Sequence, residues 1–154
     1  MKNDEKKELK EVSNLDKTFE HFHTRLNCAQ SILATYGPSY GLAKKDCFRI
    51  VEAFGGGIAN NGNTCGAILG ALAVIGLKYG RTDIDDLQAR DRTNNMSQKF
   101  ISKFISKNGS DKCRNLIKYD ISNPEKLEEA KEKGVFVKCD HFVKITVELL
   151  EEIL

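Results

Sequence analysis

The sequence predicts an all-α protein, a compact bundle of about six to seven helices around a glycine-rich central helix. Apolar residues recur at helical spacing in several segments, and capping or breaking residues bound each segment. No segment shows the alternation of a half-buried strand. With 154 residues the chain can bury a core as one domain. We expect a charged tail or helix over residues 1–17 and a single redox or metal-binding helical domain over residues 18–154.

Two helices are expected before residue 55. The first is capped by Thr24 and runs to about Tyr36, before a Gly-Pro pair that ends it. The second covers about 43–54 and carries Cys47 on an apolar stripe. A triple glycine then breaks the chain and leads into a polar turn.

The third helix is predicted to be the buried central one. It runs from Cys65 to about Tyr79, is capped by Thr64 or Asn63, and is apolar almost all round. Glycine recurs every fourth residue here, at positions 62, 66 and 70 and again at 76 and 80. Since each glycine costs a helix about 1 kcal/mol against alanine, the repetition indicates that another helix or a cofactor approaches closely.

A long polar helix is expected next. It begins at Thr82, has aspartates in its first turns, as the helix dipole favours, and runs toward Lys107. An Asn-Gly pair ends it, and Cys113 follows in a short turn.

Two more helices complete the prediction. Asn123-Pro124 starts a helix that ends at Gly134, because proline suits the first helical position. Residues 135–137 are expected as a short extended link. The last helix runs from about Cys139 to Ile153.

Four of the five cysteines are predicted at helix starts: Cys28, Cys65, Cys113 and Cys139. Exposed N–H groups and about half a positive charge at a helix N-terminus stabilise a thiolate, the form that binds metal or exchanges disulfides. Cys47 lies in mid-helix and is interpreted as core. Since neither a secretory signal nor a membrane-spanning stretch is visible, we expect a cytoplasmic protein, where such cysteines indicate metal or redox chemistry.

Three kinds of chemistry fit these four cysteines. The first is an iron–sulfur cluster, since N–H donors and nearby positive charge, such as Lys112 and Arg114, offset its negative charge. The second is a metal-free thiol–disulfide oxidoreductase in which Cys65 attacks and another cysteine resolves. The third is a structural zinc site, although no CxxC pair is present.

Other functions find less support in the sequence. No Ser/His/Asp signature and no phosphate-binding motif is present, so no catalytic residue is assigned, and an electron carrier is favoured over an enzyme. Nucleic-acid binding is supported only by a stripe of lysines, without aromatic residues that could stack on bases. The stripe consists of Lys99, Lys103 and Lys107. The histidines, His21, His23 and His141, are expected in surface or capping positions.

A family resemblance rests on five pieces of the sequence. They are Asn27–Gln30, Phe54–Gly57, Thr64–Ala71, Cys113 and Cys139, within about Phe22–Leu150. In this order they resemble the C_GCAxxG_C_C family of redox-active proteins, which is named after its cysteines. Thr64 stands where the family name has glycine, and threonine can also cap a helix.

The resemblance carries several expectations. The family is similar to the iron–sulfur part of split-Soret cytochromes, which pair haem with a [2Fe–2S] centre. It therefore implies a small helical redox protein, a homodimer, whose iron–sulfur cluster, of the [2Fe–2S] type, is held by Cys28, Cys65, Cys113 and Cys139. No covalent haem is expected, because the chain has no CxxCH site. The redox partner protein is not identified by the resemblance.

Overall fold

The computed structural model describes residues 10–154, and α-helices account for most of them. In chain order these are α1 (Asn14–Phe22), α2 (Cys28–Tyr36), α3 (Lys44–Ile50), α4 (Gly66–Tyr79), α5 (Leu87–Asn108), α6 (Cys113–Ile117), α7 (Pro124–Glu132) and α8 (Cys139–Ile153). Three 3₁₀ turns cover Gly37–Tyr40, Glu52–Phe54 and Val135–Lys138. The all-α prediction is confirmed. The described residues hold eight helices instead of about six to seven, because α6 forms where only a turn is predicted. Of the two expectations for residues 1–17, a tail or a helix, the structure shows a helix from Asn14 onward.

The first helix crosses the predicted boundary at residue 17. Residues 1–9 of the predicted charged segment lie outside the described residues. α1 begins at Asn14, and the Ser13 side chain caps it by accepting from the Asp16 N–H. It packs against α2 and α8. The buried Thr18 hydroxyl bonds Thr35 Oγ1 on α2 at 2.9 Å, so α1 is fastened to α2 through polar side chains.

α2 begins at Cys28, not near Thr24 as predicted. Asn27 accepts a hydrogen bond from the Gln30 N–H, and Gln30 Oε1 accepts one from the Asn27 N–H. This reciprocal capping box satisfies two N–H groups that a helix start leaves unpaired. Thr24 lies in the preceding turn, where its hydroxyl bonds the His21 carbonyl.

α4 is the buried central helix, as predicted, and packs against α2, α5 and α8. The predicted close approach of another helix is confirmed at Gly70. A Cβ there would lie 2.9 Å from the Ala29 carbonyl oxygen and 3.0 Å from Ile32 Cβ, both on α2. Gly76 differs, since a Cβ there would meet nothing within 4 Å. The glycine repeat therefore serves helix packing only in part.

Several predicted boundaries shift by a few residues. α3 ends at Ile50, which is exposed, and a 3₁₀ turn continues to Phe54. α5 begins at Leu87 instead of Thr82, because the Asp86 carboxylate caps it by accepting from the Ala89 N–H. The sequence predicted Asp83, Asp85 and Asp86 in the first turns of the helix, whereas all three precede it.

The end of the chain follows the prediction more closely. Asn123 caps α7 and Pro124 is its first residue, as predicted. The predicted extended link over residues 135–137 is wrong, because Val135–Lys138 forms a 3₁₀ turn that leads directly into α8. α8 covers Cys139–Ile153, as predicted.

Buried apolar side chains form two hydrophobic clusters. The major cluster joins α2, α4, α5 and α8 and includes Phe100 and Phe104, both fully buried. The minor cluster consists of Cys113, Ile117, Ile121 and Ala130, with Tyr119, Leu127, Val135, Phe136 and Cys139 packed around them. Within residues 10–154, no helix combines the length and apolarity needed to cross a membrane.

Candidate cysteine redox site

A cavity of about 700 Å³ is lined by residues of both hydrophobic clusters. The four cysteines predicted at helix starts all line it: Cys28, Cys65, Cys113 and Cys139. Cys47 does not, because it is fully buried in α3 against Gly37, where a Cβ would lie 2.6 Å from its Sγ. The structure thus brings the four cysteines to one cavity and confirms Cys47 as a core residue.

Each cavity cysteine lies at the N-terminal end of a different helix. Cys28, Cys113 and Cys139 are the first residues of α2, α6 and α8. Cys65 is itself the N-cap of α4, where Thr64 or Asn63 was expected. A helix N-terminus favours negative charge on a sulfur beside it, and burial opposes that charge.

Backbone pairing between two distant loops places Cys65 beside Cys113. The Cys65 N–H donates to the Asp111 carbonyl at 2.8 Å, and the Cys113 N–H donates to the Asn63 carbonyl at 2.7 Å. These bonds flank the antiparallel bridge formed by Thr64. The pairing joins residues almost fifty positions apart, so no local sequence pattern announces it.

The loop before α4 has left-handed backbone over five consecutive residues, Gly56–Asn60, which we call the left-handed loop. Their φ angles range from 50° to 72°. Gly56 and Gly57 adopt this conformation freely, whereas it costs a non-glycine residue about 1–2 kcal/mol. Ile58 is β-branched and therefore the least suited of the five. Such strain is concentrated at functional sites.

Arg114 ties the end of this loop to α6. Its guanidinium donates to the carbonyls of Asn61 at 3.1 Å and Gly62 at 3.0 Å, and to Asn63 Oδ1 at 3.0 Å. The sequence identified Arg114 only as positive charge near Cys113, so this positioning role was missed. The one signal was the Asn- and Gly-rich composition of the loop, since both residues tolerate left-handed backbone.

Cys28 and Cys65 form a hydrogen-bonded pair. The bond from the Cys65 thiol lowers the pKa of Cys28 despite burial, and the N–H groups of Ala29 and Gly56, which point at the same sulfur, add to this. The same bond, together with burial, raises the pKa of Cys65 well above its ordinary value. The environment therefore favours the thiolate on Cys28, not on Cys65 as the sequence suggested.

The other two cysteines are held as neutral thiols. Burial, with a further contribution from the charge on Cys28, raises the pKa of Cys113 and of Cys139 to about 12. Arg114 opposes this at Cys113. Within residues 10–154, no group of three or more His, Cys, Asp or Glu side chains lies close enough together to hold one metal ion.

Two glycines make room for two of the cysteines. A Cβ on Gly66 would overlap the Cys28 sulfur, so α4 can approach this cysteine only because residue 66 has no side chain. A Cβ on Gly57 would lie 2.7 Å from Cys113 Cβ. The sequence predicted that another helix or a cofactor approaches these glycines, and at Gly66 the approach is made by Cys28, the first residue of α2.

The three histidines do not line the cavity. His23 Nε2 lies 3.0 Å from Asp140 Oδ1, and His141 Nε2 lies 3.1 Å from Asn108 Oδ1; both rings are exposed, as predicted. His21 is partly buried, with Nδ1 3.3 Å from Thr35 Oγ1. Burial, helped by the charge of Lys44, lowers the pKa of His21.

Helices that present four cysteines to one cavity define an all-α protein with a thiol site. Residues 26–153 match the family model described as "Putative redox-active protein (C_GCAxxG_C_C)", and the chain belongs to this family, as the resemblance predicted. Membership supports a redox role. No curated protein and no solved structure matches the chain.

Proposed function

We propose that the protein is a small electron carrier in which Cys28, Cys65, Cys113 and Cys139 hold an iron–sulfur cluster of the [2Fe–2S] type. The observation that carries this proposal is the convergence of four helix-start cysteines on one cavity. When bound, such a cluster supplies one-electron redox chemistry.

The donor set supports this proposal. The four cavity cysteines are free thiols, and the N–H groups of Ala29, Gly56 and Ala67 point at two of the sulfurs. Metal binding requires thiolates. In this cavity the hydrogen bond with Cys28 and burial raise the pKa of Cys65, and burial followed by the charge on Cys28 raises the pKa values of Cys113 and Cys139. A metal centre would offset that repulsion, since its positive charge favours deprotonated thiols.

The four cavity cysteines pack in two pairs, one in each hydrophobic cluster, and this arrangement suits two metal ions. A single zinc ion holds four thiolates at about 2.3 Å, so all four sulfurs must converge on one point. No three of the described candidate ligands do so. In a two-iron cluster the four thiolates are divided between two metal ions, which is compatible with cysteines contributed by two separate hydrophobic clusters.

Other cavity residues support electron transfer. Phe22, Phe136 and Phe142 line the cavity and give it a partly apolar wall. Arg25 and Lys131 also line it and are exposed, so they place positive charge near a negatively charged cluster. We assign the carrier to the cytoplasm, where free thiols persist, and to a homodimer, as the family resemblance implies.

Anaerobic purification, followed by iron and sulfide analysis and an absorption spectrum, tests the proposal. We expect about two irons and two sulfides per chain. Serine at any of the four cavity cysteines should lower the iron content strongly, whereas the control Cys47→Ser should retain it, because Cys47 lies outside the cavity. Iron-free protein after reconstitution, or zinc in its place, would contradict the proposal.

A further inference from the structure

We propose that Cys28 and Cys65 also act as a dithiol pair in the metal-free chain, and that glutathione disulfide oxidises them to an internal disulfide. This activity is separate from electron carriage and does not depend on it. It assigns a reversible disulfide to two cysteines that are free thiols in the structure.

The geometry singles out this pair among the five cysteines. The Cys28 sulfur lies where Gly66, the residue after Cys65, would carry a side chain. The two cysteines stand at the starts of α2 and α4, which pack directly against each other at Gly70. Gly66 leaves the space that the Cys28 sulfur occupies. Cys113 and Cys139 belong to the minor cluster instead, and Cys47 lies outside the cavity.

Accessibility sets the order of the two sulfurs. Cys28 is half-buried and lines the cavity, whereas Cys65 is only 7% exposed. A disulfide that enters the cavity therefore meets Cys28 first. Cys28 is also the first residue of α2, and a helix N-terminus stabilises the thiolate form of an attacking sulfur.

The exchange balances without another reactant. The Cys28 thiolate attacks one sulfur of glutathione disulfide, the S–S bond breaks, and one glutathione leaves as a thiolate that takes up a proton. Cys65 then loses its proton and attacks the Cys28 sulfur, which forms the internal disulfide and releases the second glutathione. Two protein thiols are oxidised, and one glutathione disulfide is reduced to two thiols.

The test uses the reduced full chain, freed of metal with a chelator and incubated with glutathione disulfide. After alkylation, we expect the number of free thiols to fall from five to three, and peptide mass mapping to find the Cys28 peptide linked to the Cys65 peptide. Cys47→Ser is the matched control and should still lose two thiols. An unchanged thiol count, or Cys28 linked to Cys113 or Cys139, would overturn the proposal.

Two variants test the order of attack. Cys65→Ser should stop at a mixed disulfide between glutathione and Cys28, while Cys28→Ser should form no internal disulfide. Far-UV circular dichroism verifies that each variant is folded, and the mapping of the wild-type chain decides the linkage independently of both. A chain that lacks iron but forms this disulfide would refute only the proposed cluster, so the two failures are distinguishable.

Discussion

Gly66 has no Cβ, and both the packing of α4 and the position of Cys28 depend on this. A Cβ there would overlap the Cys28 sulfur and would lie 2.9 Å from the Phe54 carbonyl oxygen. Neither neighbour can simply swing away, because one is a short side chain at a capped helix start and the other is backbone. A side chain at residue 66 should therefore disturb the cysteine site as well as the packing of α4.

Gly66→Ala should destabilise the protein by about 1–3 kcal/mol, the usual cost of overpacking a closely packed site. It should also displace Cys28 and lower the iron content of the purified protein. Urea denaturation and iron analysis measure the two effects.

Gly76→Ala is the matched control on the same helix. Because a Cβ at residue 76 would meet nothing within 4 Å, this change should stabilise α4 by up to about 1 kcal/mol and leave iron binding unchanged. Equal effects of the two substitutions would show that Gly66 has no special relation to Cys28.

Among the elements, the left-handed loop shows the clearest conflict between sequence and conformation. Ile58 is 40% exposed, so it gains little from burial, yet it adopts a φ of 66°. Ile58→Gly should therefore stabilise the protein by about 1 kcal/mol, since glycine adopts this backbone without strain.

The control for this prediction is Ile84→Gly, because Ile84 is 79% exposed and lies outside the positive-φ residues. It should give no gain in the free energy of unfolding from urea denaturation. A destabilised Ile58→Gly variant would mean that the Ile58 side chain contributes packing that outweighs its backbone strain.

The docking of α1 on α2 gives the protein a pH dependence. Burial lowers the folded-state pKa of His21 below the ordinary 6.5, so the unfolded chain binds this proton more tightly. The stability from neutral His21 is complete above that value and is lost as the pH falls through it toward the folded-state pKa.

His21→Gln should flatten this part of the pH profile of the unfolding free energy. Urea denaturation at several pH values measures the slope, and a proton NMR titration of the His21 ring locates its pKa directly. A midpoint at or above 6.5 would contradict the prediction.

At the scale of the whole molecule, the two hydrophobic clusters differ in size, and the minor cluster is small. It contains only four buried residues, Cys113, Ile117, Ile121 and Ala130, whereas the major cluster fills the bundle. The proposed iron–sulfur cluster would take cysteine ligands from both hydrophobic clusters and would so hold the minor one against the major one. Chelation of the metal should therefore increase hydrogen exchange over residues 110–138 more than in α4, as measured by mass spectrometry. A uniform change along the chain would contradict this.

The sequence predicted the helix starts, helix ends and buried faces that depend on residues close together in the chain. The Asn123-Pro124 start of α7, the left-handed Gly109 after α5 and the burial of α4 all follow from nearby sequence. The placement of cysteines at helix starts was predictable for the same reason. The Asn27-x-x-Gln30 capping box was also visible in the sequence, although Thr24 was chosen in its place.

The rest depends on contacts between distant residues. The bridge between Thr64 and Lys112, which sets Cys113 beside Cys65, joins loops from two parts of the chain. The tether from Arg114 to the residues after the left-handed loop is equally non-local. The lowered pKa of Cys28 and the raised pKa of Cys65 come first from the contact between these two thiols, and only the folded chain brings residues 28 and 65 together.

The distribution of the cavity cysteines along the chain has a consequence for biosynthesis. Cys28 comes from α2 and Cys139 from α8, so the cavity wall includes residues separated by most of the described chain. Contacts of such large sequence separation form late, because the chain must lose the entropy of closing a long loop before these contacts can stabilise it. An incompletely synthesised or misfolded chain therefore presents scattered thiols instead of a prepared site. On the proposed function, loading of the cavity would then be a check that the chain has finished folding.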